Sequence, residues 1–230
     1  MTGLAPARAV ILLTLLGLFP NLALAQKLSF GPIAGVAIST WRGADVRPVP
    51  DYRTGFAGGG FVRIGIYRSF GVEADVLYAR KGIADTATTC SAPLACQTLT
   101  YSYNEDFVEI PLLFTLAGPT RFAPTIFAGP AVAFLTSCTF RTSGPVGTVP
   151  CDSIFSGHPG SGGSQPPTPS MKHKDALLVF GGGFHLGPLA LQARYDLGRT
   201  KFVVFHGTTL DSETRAWLIN ASYRLSLGRR

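Results

Sequence analysis

Four histidines, His158, His173, His185 and His206, are the side chains through which this 230-residue chain would perform acid–base chemistry near neutral pH. Acyl transfer or deacylation of lipid needs one of them beside a serine and a carboxylate. Only His206 has such company, with Asp211, Ser212 and Glu213 close behind it, and those residue types recur together in loops by chance. His158 and His173 lie in or beside a Gly/Ser/Pro tract, and His185 falls close to a tight turn at Gly187. The sequence contains no G-x-S-x-G elbow, no phosphate-binding Gly-rich loop with Lys and no H-E-x-x-H zinc motif. The chain therefore reads as a non-enzyme, with no catalytic, cofactor-binding or metal-ligating residue assigned.

A second set of charges has a more regular setting. Arg63, Glu73, Asp75, Glu109, Arg194, Asp196 and Arg224 each occupy the polar face of a segment whose alternate positions are apolar. In 189–198, Leu189, Leu191, Ala193, Tyr195 and Leu197 alternate with Ala190, Gln192, Arg194 and Asp196. The run 70–80 sets Phe70, Val72, Ala74, Val76 and Tyr78 against Gly71, Glu73, Asp75, Leu77 and Ala79. Strands point successive side chains to opposite faces, so each segment has one apolar wall and one polar wall. The three arginines nearly balance the four carboxylates, and buried charges persist when paired. These residues are expected to form an interior ion-pair network.

Eight candidate strands would carry that network: 28–40, 54–67, 70–80, 101–116, 122–136, 175–186, 189–198 and 214–227. Their connections alternate in length. Arg68-Ser69, Gly118 to Arg121 and Gly187-Pro188 are tight turns, whereas 41–53, 81–100, 137–174 and 199–213 are long. Short periplasmic turns, long external loops and an even strand count are the signature of an outer-membrane barrel. Eight strands enclose a lumen just wide enough for side chains to fill. Pro111, within the fourth strand, lacks an N–H and calls for a bulge or a water-filled interior beside it.

The N-terminus points to export. Arg8 precedes the apolar run 9–19, Pro20 breaks it, and Ala23-Leu24-Ala25 offers small residues for cleavage. Residues 1–25 are thus expected to be a secretory signal, with 26–230 as one barrel domain. Charged residues make up 14% of the chain, against about a quarter in ordinary soluble proteins. The net charge of +7 suits anionic lipid headgroups or lipopolysaccharide phosphates. Its basic residues are scattered singly, which argues against nucleic acid as a partner.

Cys90, Cys96, Cys138 and Cys151 all fall in the two longest connections, 81–100 and 137–174. An oxidising compartment makes them disulfide candidates, and four cysteines allow three pairings. Cys90 with Cys96 and Cys138 with Cys151 is the simplest choice; a cross-loop pairing is the alternative. The two connections are also the expected contact surface for an extracellular protein. The Gly/Ser/Pro tract 157–169 within the second has little to pack.

Several segments resemble the small outer-membrane β-barrel proteins of the porin and PorT families. Phe107-Val108-Glu109-Ile110-Pro111-Leu112-Leu113-Phe114 is similar to the family's Glu-Ile-Pro-Leu-Leu strand. Glu73 to Tyr78 with Arg80-Lys81-Gly82, Ala128-Gly129-Pro130, Gly181-Gly182-Gly183-Phe184, Ala193 to Gly198 and Ser222-Tyr223-Arg224 follow in the family's order. The resemblance implies an all-β fold, an eight-stranded antiparallel transmembrane up-and-down β-barrel of OmpA/OmpX-like type in the bacterial outer membrane. The expected role is structural or interactive, exerted by a monomer through its external loops, with no cofactor. The competing readings are a soluble, lipocalin-like ligand-binding barrel with its apolar faces inward, and a lipid-modifying barrel enzyme.

Overall fold

The computed structural model describes residues 27–43, 50–67, 69–92, 95–118, 122–143, 147–151, 173–199, 203–205, 208–210 and 213–227. The expected signal segment, His158, His206, Asp211, Ser212 and the Gly/Ser/Pro tract lie outside them. The described chain is almost entirely strand: β1 (Lys27–Arg42), β2 (Asp51–Tyr67), β3 (Phe70–Ala92), β4 (Ala95–Ala117), β5 (Phe122–Thr142), β6 (Thr148–Pro150), β7 (Lys174–Leu186), β8 (Leu189–Gly198), β9 (Val203–Phe205), β10 (Thr208–Leu210), β11 (Glu213–Tyr223) and β12 (Leu225–Leu227).

Eight of these form a closed antiparallel ring in the order β1, β2, β3, β4, β5, β7, β8, β11, with β11 pairing back onto β1. The closing seam runs from Arg42↔Glu213 to Ile33↔Ser222, and β12 resumes the same register at Phe30↔Leu225. The pairing lapses opposite Pro32, which has no N–H to donate. On its other side β11 stays paired, the backbone N–H of Arg224 donating to the Pro188 carbonyl at 2.7 Å in continuation of the Tyr223↔Leu189 register.

The two faces divide as alternation requires. Trp217, Ile219, Ala221 and Tyr223 are exposed, while Ala216, Leu218, Asn220 and Ser222 between them are buried. The same holds along β5, where Phe122 to Val132 alternate exposed and buried without a slip. Large apolar side chains on every wall point outward, among them Val62, Val76, Leu112, Phe114, Ile126, Leu178, Leu191 and Trp217. Arg63, Glu73, Asp75, Glu109, Arg194 and Asp196 are buried inside. A soluble barrel would invert this arrangement, so the lipocalin-like reading fails on the direction of its apolar faces.

Three corrections concern strand ends. The segment 81–100, read from sequence as a loop, is a continuation of β3 and β4 as a hairpin paired from Gly82↔Asn104 to Cys90↔Cys96. Above the barrel neither face of this ribbon meets lipid, so the apolar alternation that betrays a membrane strand is missing from its Thr-rich sequence. Tyr67, which strict alternation from Phe61 and Arg63 would carry to the inner face, is turned out by a register shift between Gly65 and Tyr67, and its side chain is exposed. Pro111 causes no bulge. The β3–β4 register is the same at Ala74↔Leu112 and Leu77↔Glu109, and pairing simply lapses between them.

Among the described strand glycines, Gly82 is the one with a positive φ, 142°, which L side chains rarely adopt. It lies at the register shift between β2 and β3, between the pairs Ala57↔Ala79 and Tyr52↔Ile83, and Ser39 of β1 secures it. The Ser39 hydroxyl donates to the Gly82 carbonyl at 2.9 Å and accepts from the Gly82 N–H at 2.8 Å.

Candidate functional site

Closure of the ring sets β3 directly across the lumen from β8, and it is there that the charged side chains meet. Arg194 of β8 reaches three carboxylates. Its Nη2 donates to Glu109 Oε2 at 2.7 Å, its Nε lies 3.2 Å from Asp196 Oδ1, and its Nη1 lies 3.6 Å from Asp75 Oδ2. Lys81 of β3 donates to Asp196 Oδ2 at 2.8 Å and forms a close ion pair with Glu109. Lys81 retains only 2% of its accessible surface. The cluster thus joins opposite walls, with Glu109 and Asp196 each shared between both cations.

Towards the short-turn end lies a second group. Arg224 Nη2 sits 2.9 Å from His185 Nδ1 and 3.0 Å from Nε2, and Arg63 Nη1 approaches Nε2 at 3.5 Å. Glu73 is the Cα partner of Arg63 on the adjacent strand. A guanidinium only donates, so the imidazole accepts here and is held as a neutral ring between two cations. That setting leaves His185 poorly placed to act as a general acid.

Towards the loop side, Glu105 is buried and accepts from Trp41 Nε1 at 3.4 Å. Tyr103 packs on Trp41 and Phe140, with ring centroids 5.2 and 4.9 Å apart. Phe107, Leu113, Phe127, Leu177, Val179 and Cys151 fill the β4–β5–β7 side of the lumen. A Cys138–Cys151 disulfide, with Cα atoms 5.4 Å apart, ties the start of the connection after β6 to β5. Cys96 is also disulfide-bonded, and its Cα partner in the hairpin is Cys90. Lower on the same hairpin the Tyr101 hydroxyl donates to Asp85 at 3.0 Å. Burial and that bond together push the Tyr101 pKa up to about 12.

All seven charged residues singled out from sequence therefore face the lumen, divided into a central and an end group. Lys81, Glu105, Asp175 and His185 are buried among them and were missed. Parity carried a signal for all four, since Asp175 and His185 fall on the same face of the expected strand 175–186 as Leu177 and Val179. Continuing the inward positions Glu73, Asp75, Leu77 and Ala79 by two residues reaches Lys81, and stepping back from Glu109 and Phe107 reaches Glu105. Ending the third strand at residue 80 and starting the fourth at 101, with its inward face followed only from Phe107, hid both. Among the described residues, no cluster of three or more His, Cys, Asp or Glu is arranged to hold a metal ion.

On the outside, Phe180, Tyr195 and Trp217 form a contiguous aromatic group, with centroids 5.3 and 4.9 Å apart. Phe70 with Phe114, and Phe122 with Phe184, stack nearer the short turns at 6.4 and 5.2 Å. Aromatic side chains at both margins of an apolar band are how a barrel registers itself in a bilayer. Just above the band, Arg80 pairs with Asp106 on the β3–β4 wall through contacts of 2.7 and 3.3 Å.

No curated protein matches the chain. Among solved structures, Ail, the attachment invasion locus protein of Yersinia pestis, is 13% identical, covers 86% of this chain and 98% of its own, and gives a TM-score of 0.41. Neisserial surface protein A is 12% identical over 84% of this chain and 96% of its own, with a TM-score of 0.44. The outer membrane protein OprG from Pseudomonas aeruginosa is 10% identical over 88% and 96%, with a TM-score of 0.41. The family model for the outer membrane protein beta-barrel domain matches residues 24–203. With that match over most of its length and its apolar walls turned outward, the chain belongs to the outer membrane protein beta-barrel domain family and resides in the bacterial outer membrane.

Proposed function

We propose that this protein is a non-catalytic barrel whose lumen is filled by its own side chains and whose function lies in what its loop side presents to the exterior. The observation that carries this reading is the central cluster. Lys81 and Arg194 are held by carboxylates from facing walls, where a conducting path would need water. Ion pairs satisfied inside a narrow barrel leave little reason for solvent to enter. The chemistry of His185 fits the same view, since its ring is occupied by two guanidiniums. The β3–β4 hairpin and the connection from 137 to 174, cross-linked by disulfides, are the surface offered to an extracellular protein by a monomeric barrel. Residues 1–25 are removed on export, so the N-terminal sequence of the mature protein starts at Gln26.

Planar-bilayer recording tests the central claim. Folded protein, identified by faster gel migration before boiling than after, is expected to insert without steady unitary conductance. A reproducible ohmic step from that material would replace the filled lumen with a narrow pore.

A further inference from the structure

A small cleft of about 280 Å³ opens on the outer wall at the loop-side rim, lined by Thr40, Arg42, Tyr52, Tyr195, Arg215 and Trp217. It lies where β1, β2, β8 and β11 adjoin across the closing seam; Thr40 and Arg215 are Cα partners there. Tyr195 and Trp217 are the aromatic margin of the lipid-facing band, so the cleft stands at headgroup level in the outer leaflet. Arg42 donates to the Tyr52 hydroxyl at 3.2 Å. Arg215 Nε is shut off from solvent and has no hydrogen-bond partner among the described residues. Among the described residues, Glu213 pairs with Arg215 Nη2 at 3.8 Å, an ion pair too long for a hydrogen bond. The rim arginine on the β3–β4 wall is different, since Asp106 holds Arg80 at 2.7 and 3.3 Å.

Two guanidiniums, one bonded to a neutral tyrosine hydroxyl and the other in no close carboxylate bond among the described residues, set over an aromatic floor at the bilayer surface, match a tetrahedral, multiply charged oxyanion carried on a lipid. We infer that this cleft binds the phosphate of a phosphorylated lipid headgroup in the outer leaflet. Arg42 and Arg215 grip the oxygens, Tyr52 supports Arg42, and Trp217 packs against the sugar or glycerol beneath. The inference rests on the membrane-spanning reading, which heat-modifiable migration of each preparation checks separately.

The chain has two tryptophans, so a Trp41→Phe background leaves Trp217 as the sole indole and as a reporter inside the cleft. The protein is placed in phosphatidylcholine nanodiscs alone, with phosphorylated lipid A, or with lipid A stripped of its phosphates. A fourth sample adds inorganic phosphate to the plain discs. Trp217 emission is expected to change with phosphorylated lipid A only, and the change should weaken as salt is raised. Arg42→Gln and Arg215→Gln should each weaken apparent affinity roughly tenfold. An Arg80→Gln/Asp106→Asn control should leave the response intact. An equal response to the stripped lipid, or to inorganic phosphate alone, would overturn the assignment, the second by pointing to a solute anion. So would arginine variants that migrate as folded and respond as the parent does. If the variants do not fold, the salt dependence of the parent decides: a response insensitive to salt excludes a phosphate grip.

Discussion

The central and end groups of the lumen both set arginine against carboxylate, but they balance their charges differently. In the centre, Lys81 and Arg194 face Glu109, Asp196 and Asp75, so every cation touches more than one carboxylate. At the short-turn end, Arg63 and Arg224 both contact the neutral ring of His185 and feel the charge of Glu73. Arg224 is only partly buried, whereas Arg194 is almost completely enclosed. The difference teaches where the structure depends on pairing. A central charge that loses its partner has no water to turn to, while an end charge can hydrate through the mouth.

Breaking the centre should give the largest effect. Arg194→Ala leaves three carboxylates to Lys81 alone and is expected to cost about 3–5 kcal/mol, measured by urea unfolding in lipid vesicles. Lys81→Met should cost about 2–4 kcal/mol, because Glu109 and Asp196 then depend on Arg194 alone. Adding Glu109→Gln to that variant should recover part of the loss, a coupling that independent sites would not display. Arg224→Gln should change stability by about 1 kcal/mol at most, since it also relieves repulsion from Arg63. Were it to cost as much as Arg194→Ala, the contrast between the two groups would be wrong. Smallest of all is Arg80→Gln at the exposed rim, expected to cost about 0–1 kcal/mol and to lose even that in high salt.

The legible part of this site followed from parity. Arg194 and Asp196 stand two apart between Leu191, Ala193, Tyr195 and Leu197, so alternation alone sends both inward once the apolar wall faces lipid. The same reasoning fails where a strand outruns its membrane span. Lys81 sits one residue past the point where the sequence stops alternating, although the backbone continues in strand to Ala92. His185 looked like a turn residue because Gly187 and Pro188 follow it, yet its parity on β7 directs it into the lumen between two arginines.

Alternating polarity, turn chemistry and the spacing of the turns determined the all-β architecture, the number of walls and the division of each wall into an apolar and a polar face, because these are local properties of a strand; that the apolar face turns outward is a property of the closed ring. Partnership was decided by the ring. Lys81 meets Asp196 across 115 residues and Arg194 meets Glu109 across 85, because closure and stagger bring those positions to one height on facing walls. The rim cleft has the same origin. Arg42 and Arg215 come from opposite ends of the described chain and become neighbours only when β11 closes onto β1. No local pattern encodes that distance, since it depends on how many strands intervene and how far each is sheared against the next.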